Sequence, residues 1–238
     1  MKKYYYYLRE YLFPQGCGGC GEALLNPLDA YFGLCQGCRD YFSATMGPEQ
    51  SCRVCGKPLI SERETCLSCR EGEGLFTLRV LFPYSGRFRS LLGAFKFNKS
   101  LGLGNFFAQC LAQSVTSLGL EQALENNSIA WVPVPPRPGK IKHQGWDQIH
   151  FLGGILAREQ PLPVRACLKR LPSRSQKELN REERERNLVG RILCTRPPPH
   201  TAILFDDVTT TGATLRACAR ALLSGGTQKV FALSLFYD

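Results

Sequence analysis

The sequence predicts an α/β protein, a mostly parallel sheet with flanking helices, preceded by a small cysteine-rich N-terminal domain. Three observations predict it. Eight of the twelve cysteines fall in four Cys-x-x-Cys pairs between Cys17 and Cys69. Beyond residue 73, apolar runs of strand length alternate with stretches of helical period. One of those runs, Thr201 to Phe205, leads straight into Asp206-Asp207, a Thr/Gly loop and a helix start. Open α/β sheets receive their ligands at such a strand end.

Taken in order, Met1 to Pro14 carries two lysines, four consecutive tyrosines and then Leu8-Arg9-Glu10-Tyr11-Leu12-Phe13. Arg9 and Glu10 interrupt any apolar core, and no small-residue cleavage site follows, so a short amphipathic helix is expected rather than a signal peptide. The cysteine pairs are Cys17/Cys20, Cys35/Cys38, Cys52/Cys55 and Cys66/Cys69. Two residues between thiolates let both sulfurs face one metal from a tight turn, and two such turns complete a tetrahedral Zn²⁺ site. Gly18, Gly19, Gly21, Gly37 and Gly56 support the turns. The repeat reads as a duplicated zinc ribbon binding one or two structural ions. Sequential pairing is the simplest assignment, and an interleaved one stays open. Apolar residues are few here, chiefly Leu24, Leu25, Leu28, Tyr31, Phe32, Tyr41 and Phe42, so metal is expected to hold the segment together. Four thiolates per site leave no open position for catalysis. The domain boundary is expected near Gly72 and Gly74, giving 1–72 and 73–238.

The second domain is read as a strand over Phe76–Tyr84 and helices over Arg87–Phe97 and 103–118, the latter with Leu103, Phe106, Phe107, Cys110, Leu111 and Val115 on one stripe. A buried strand at Ile129–Val134, a helix at His150–Arg158 and a strand at Val164–Leu171 follow. Residues 172–190 are a polar, partly helical loop. Thr201–Phe205 is a strand, Ala213–Ser224 a helix ended by Gly225-Gly226, and Val230–Phe236 the last strand. Cys110 and Cys218 are expected in the core. No apolar run approaches the roughly 20 residues of a membrane span.

The formal net charge of +10 favours an anionic partner. Asp206 and Asp207 suit two sugar hydroxyls or a hydrated Mg²⁺. Thr209, Thr210, Thr211, Gly212, Ala213 and Thr214 offer hydroxyls and backbone N–H groups at a helix N-terminus, where a phosphate is favoured. Together they describe a ribose 5-phosphate. Residues 133–148 form a Pro-stiffened cationic loop at the same rim, with Arg137, Lys140 and Lys142; Arg137 and Lys140 are the expected pyrophosphate ligands. The Arg-rich stretch 169–187 has the length of a lid or binding loop.

The segment Ile203 to Thr214 resembles the phosphoribosyl-pyrophosphate (PRPP) motif of type I phosphoribosyltransferases. The whole chain resembles the ComF family of competence proteins. Val132-Pro133-Val134-Pro135 and Gln144-Gly145-Trp146-Asp147-Gln148 meet one family pattern, with Gln144, Trp146 and Asp147 where the family carries Arg, Phe and Asn. Gln176, Leu179, Arg181, Arg184 and Asn187 meet another, and Thr209 stands where an apolar residue is common. The resemblance implies a type I phosphoribosyltransferase-like fold after a double zinc ribbon. It also implies a cytoplasmic role in DNA uptake beside a helicase-like competence protein. PRPP with Mg²⁺ would bind at Asp206, Asp207 and the loop. Single-stranded DNA would bind at Arg174, Lys177, Arg181 and Arg184, the zinc ribbons and exposed aromatics. The alternative is an active phosphoribosyltransferase, with Asp206 and Asp207 catalytic, transferring to an unidentified base or other nucleophile. A regulator sensing PRPP is a third reading.

Overall fold

A computed structural model describes residues 15–47, 51–70, 75–98, 100–116, 128–172 and 188–238. The readings placed on Met1–Pro14, on residues 71–74 and on 173–187 lie outside these.

Four parallel strands form the central sheet: β1 (Thr77–Pro83), β2 (Ile129–Pro133), β5 (Thr201–Thr209) and β6 (Lys229–Tyr237), in spatial order β1-β6-β5-β2. Helices α3 (Gly86–Lys96), α4 (Gly102–Thr116) and α6 (Gln148–Glu159) supply one face, and α7 (Ala213–Ser224) the other. Strand alternation sorts the side chains. On β5, Ile203 and Phe205 join the helical face with Phe82, Phe95, Phe107 and Trp131, while Ala202 and Leu204 join Val80, Val132, Leu215 and Leu222 opposite. Buried on both sides, these strands read as continuous apolar runs.

β5 runs four residues beyond the expected Phe205, so Asp206 and Asp207 are inside the strand, with Asp206 opposite Ser234 of β6. The segment read as one strand over 164–171 splits instead. Val164 makes an isolated parallel bridge to Trp131, and β3 (Leu168–Arg170) then pairs antiparallel with β4 (Ile192–Cys194) in a separate two-stranded sheet. The reason is that the β2 edge is closed by two bonds only, Trp131 N–H to the Pro163 carbonyl at 2.9 Å and Arg165 N–H to the Trp131 carbonyl at 2.8 Å. The chain then leaves to form the stem beneath the polar loop. β4 is three residues long and carries no period by which the sequence would reveal it.

The ribbons cover the opposite edge. Leu78 N–H donates to the Arg53 carbonyl at 2.7 Å, and Gly47 N–H to the Leu81 carbonyl at 2.9 Å, which blunts β1 as a pairing edge. Helices α1 (Pro27–Phe32) and α2 (Gln36–Ala44) belong to the first ribbon. Its Leu34 and Phe42 are fully buried in the main core, with the Phe42 ring 5.2 Å from Phe88. That ribbon therefore has apolar anchorage besides metal, more than its composition suggested.

Candidate functional site

The strand–loop–helix segment forms one wall of a cavity of about 420 Å³. Lys96, Arg137, Asp206, Thr209, Thr210, Thr211, Gly212, Ala213 and Thr214 line it. Gly212 caps α7 at φ +73° and brings no side-chain oxygen to the first-turn N–H groups; Thr211 Oγ1 takes that of Ala213 at 3.4 Å. An adjoining lobe of about 560 Å³ is lined by Arg137, Lys140, Asp147, Arg170, Asp206 and Asp207 among others. Lys96, Arg137, Asp206, Val208 and Thr214 line both. The structure thus gathers Asp206, Asp207, the loop, Arg137 and Lys140 at one rim.

Three further residues enter to which the sequence analysis gave no role in the site. Lys96, at the end of α3, pairs with Asp207 at 2.7 Å. Burial works against the Asp207 carboxylate, but Lys96, with Lys140 beyond it, outweighs that and holds its pKa below the usual range. Asp206 behaves oppositely. Burial and the negative Asp207 push it up to about 8, although it accepts the Asp207 N–H at 2.8 Å. Two adjacent carboxylates so differ because strand alternation turns Asp207 toward α3, while Asp206 lies toward Arg170 of β3.

Arg170 is 8% exposed, and its Nε and Nη2 have no partner among the described residues. Burial and the neighbouring Arg137 lower its pKa, with Cys218 and Asp206 acting the other way. A buried guanidinium short of acceptors is costly, and an anionic ligand in this lobe would supply them.

The third is Asp147. Its side chain is 1% exposed, caps α6 by accepting the His150 N–H at 2.8 Å, and pairs with Lys140 at 2.6 Å. Lys140 also donates to Gln148 Oε1 at 2.7 Å. Lys140, expected as a pyrophosphate ligand, is therefore held by the loop's own polar groups.

The eight paired cysteines form two clusters, Cys17/Cys20/Cys35/Cys38 and Cys52/Cys55/Cys66/Cys69, with the sulfurs of each within 4.8 Å of one another. Pairing is sequential. A tetrahedral ion with Zn–S bonds of about 2.3 Å needs sulfurs about 3.8 Å apart. Cys17–Cys35, Cys20–Cys35 and Cys55–Cys66 are separated by 3.8, 3.7 and 3.8 Å. Burial opposes ionisation of Cys17, but the N–H groups of Gly19 and Cys35, 3.4 and 3.3 Å from its sulfur, help bring its pKa down to about 7. Arg87 donates to Cys38 Sγ at 3.6 Å, and its guanidinium lies 4.6 Å from the Tyr41 ring. Both donor sets fit structural zinc, closed to further ligands. Cys110 and Cys218 are buried, as expected of core residues.

A family model for the double zinc ribbon domain matches residues 8–70. Competence protein ComFC of Bacillus subtilis (strain 168) is 28% identical over 203 residues, covering 81% of this chain and 79% of that protein. ComFC of Streptococcus pneumoniae (strain ATCC BAA-255 / R6) is 26% identical over 205 residues, with 85% and 86% covered. Competence protein F of Haemophilus influenzae (strain ATCC 51907 / DSM 11121 / KW20 / Rd) is 25% identical over 205 residues, with 83% and 87% covered. Over 81–85% of its length the chain is thus similar to the ComFC and F competence proteins, at 25–28% identity.

Two departures from the ComF pattern now have a structural account. Trp146 packs against Phe95 and Phe151, with ring centroids 5.4 and 5.8 Å away, and anchors the cationic loop to α3 and α6. Asp147 adds to the cap of α6 a charge that engages Lys140. Gln144 closes the five-residue helix α5 (Lys140–Gln144). The residues expected to contact nucleic acid, Arg174, Lys177, Arg181 and Arg184, lie outside the described residues. No helix among the described residues is long and apolar enough to cross a membrane.

Proposed function

We propose that this protein binds PRPP with Mg²⁺ and single-stranded DNA, and serves natural competence by handling the incoming strand in the cytoplasm beside a helicase-like partner. The observation that carries the PRPP reading is the convergence, on one rim, of paired carboxylates, a hydroxyl-rich loop at a helix N-terminus and the cations Lys96, Arg137, Lys140 and Arg170. Asp206 and Asp207 would receive the ribose hydroxyls. Thr210, Thr211, Gly212 and Thr214 would hold the 5-phosphate through hydroxyls and N–H groups. Arg137, Lys96 and the underpaired Arg170 would face the pyrophosphate, whose Mg²⁺ shares its charge. The names of the relatives support the competence role. The net charge of +10 and the cations Arg174, Lys177, Arg181 and Arg184 support a phosphate-backbone partner.

The test is calorimetric titration of zinc-loaded protein with PRPP and Mg²⁺, beside Asp206→Ala/Asp207→Ala, and titration of a labelled oligothymidine over a salt series, beside Arg181→Ala/Arg184→Ala. Micromolar PRPP binding lost in the first variant, and a flatter salt slope in the second, are expected. Absence of PRPP binding to the wild type overturns the first part, and an unchanged salt slope the second.

One observation favours a second reading. Nε and Nη2 of Arg170 lack partners among the described residues, in a lobe suited to a departing dianion, as an active phosphoribosyltransferase requires. There a nucleophile would bond to ribose C1 as the C1–O bond to pyrophosphate breaks. Pyrophosphate release in an acceptor screen decides it.

A further inference from the structure

The second zinc ribbon sits directly beneath the ligand loop. Its knuckle, Val54-Cys55-Gly56, touches both ends of the stretch from Thr209 to Gly212. A side-chain carbon on Gly212 would stand 3.3 Å from the Val54 carbonyl oxygen and 3.6 Å from Cys55 Cα. One on Gly56 would collide with Val80 Cγ2 and lie 3.4 Å from Thr209 Cγ2. Both glycines have positive φ, +78° at Gly56 and +73° at Gly212, so a side chain is strained at either; at Gly212 it would also meet the flexible end of Arg216, with Nη1 at 3.2 Å. The middle residue of the knuckle, Cys55, belongs to the second cysteine cluster.

The two ribbons differ in what else holds them. In the second, only Val54 and Leu59 join the four cysteines in a small cluster separate from both main cores. The first places Leu34 and Phe42 in the main core. Metal is thus the chief organiser of the second ribbon and one contributor among several to the first. Within the second, the Cys52 carbonyl accepts the Gly56 N–H at 2.7 Å, and Arg53 bonds β1. A shift of the knuckle on metal loss is therefore passed to β1 and the loop together.

We propose that zinc at Cys52, Cys55, Cys66 and Cys69 sets the conformation of the ligand loop, so that metal occupancy there and ligand binding at Thr209–Gly212 are coupled, while the Cys17 cluster is not. The inference rests on the reading of that loop as a phosphate site. Coupling between sites is reciprocal: a ligand that binds the zinc-held loop better must raise the affinity for that zinc, a gain carried mostly in slower dissociation.

The experiment uses ribose 5-phosphate as the probe. In Cys35→Ser, which keeps the second cluster whole, zinc release into a chromogenic chelator is timed with and without saturating probe. Release should slow about tenfold, within the range for coupled sites. The corresponding phase of the wild-type protein gives the same comparison if Cys35→Ser fails to fold. Probe affinity should fall about tenfold or more in Cys66→Ser and stay within about twofold in Cys35→Ser. Gly56→Ala keeps all eight cysteines but presses the knuckle away from Val80 and Thr209; it should retain both zinc ions per chain yet bind the probe more weakly. Probe binding to the wild type with unaltered zinc release overturns the coupling alone. No probe binding to the wild type overturns the phosphate-site reading, and the coupling with it.

Discussion

Arg170→Met should make the ligand-free protein more stable while removing its response to pyrophosphate. The residue is 8% exposed, and two of its nitrogens, Nε and Nη2, lack partners among the described residues. An unsatisfied buried donor costs about 1–3 kcal/mol. Replacing buried charge by apolar bulk is often stabilising by about 1–4 kcal/mol. Asp206 gains from the positive neighbour, and Arg137 is repelled by it, so these effects partly offset. A net gain of about 2 kcal/mol is expected, which raises Tm by about 4–8 °C for a chain of this size. The assay is thermal unfolding of zinc-loaded protein followed by circular dichroism, with and without millimolar pyrophosphate. The wild type should be stabilised by pyrophosphate and Arg170→Met should not, while ribose 5-phosphate binding persists in both. A lower Tm for Arg170→Met would refute the reasoning, because it would mean the guanidinium serves the fold. Equal stabilisation of both proteins by pyrophosphate would refute its role as an anion ligand.

Further outcomes follow from the same geometry. Asp206 has a raised folded-state pKa, so its contribution to stability is full below the ordinary carboxylate range and is lost as pH rises toward about 8. Asp206→Asn should therefore exceed the wild type in ligand-free Tm by more at pH 8.5 than at pH 6.5, both roughly in the zone where thiolates hold zinc. An equal difference at both would sink the assignment. Asp147→Ala should lose about 1–2 kcal/mol in urea unfolding through the lost cap of α6, whereas Asp147→Asn, which retains an acceptor for the His150 N–H, should lose less. Identical losses would place the contribution in the Lys140 pair instead.

Much of this protein is local, and local features are legible in a sequence. Two residues between cysteines dictate a metal turn wherever they occur. The apolar run before Asp206-Asp207 announces a buried strand, though not where it ends, and Ala213–Ser224 is bounded by its own glycines. The four parallel strands announced themselves by apolar runs buried on both faces. What pattern could not supply is which distant elements meet. Lys96 reads as the polar end of an amphipathic helix until α3 packs over β5 and brings it 2.7 Å from Asp207. Arg170 reads as one cation among many until β3 pairs with β4 and buries it. Lys140 reads as a free ligand until the cap of α6 claims it.

The sequence by itself determined the four cysteine turns, the Thr/Gly loop and the alternation of strands and helices, because each depends on neighbours within a turn or a strand. Only the tertiary structure decided which charges are paired, which guanidinium is left wanting acceptors and which ribbon lies beneath the loop. Those depend on burial and on contacts between residues more than a hundred positions apart, such as Val54 and Gly212.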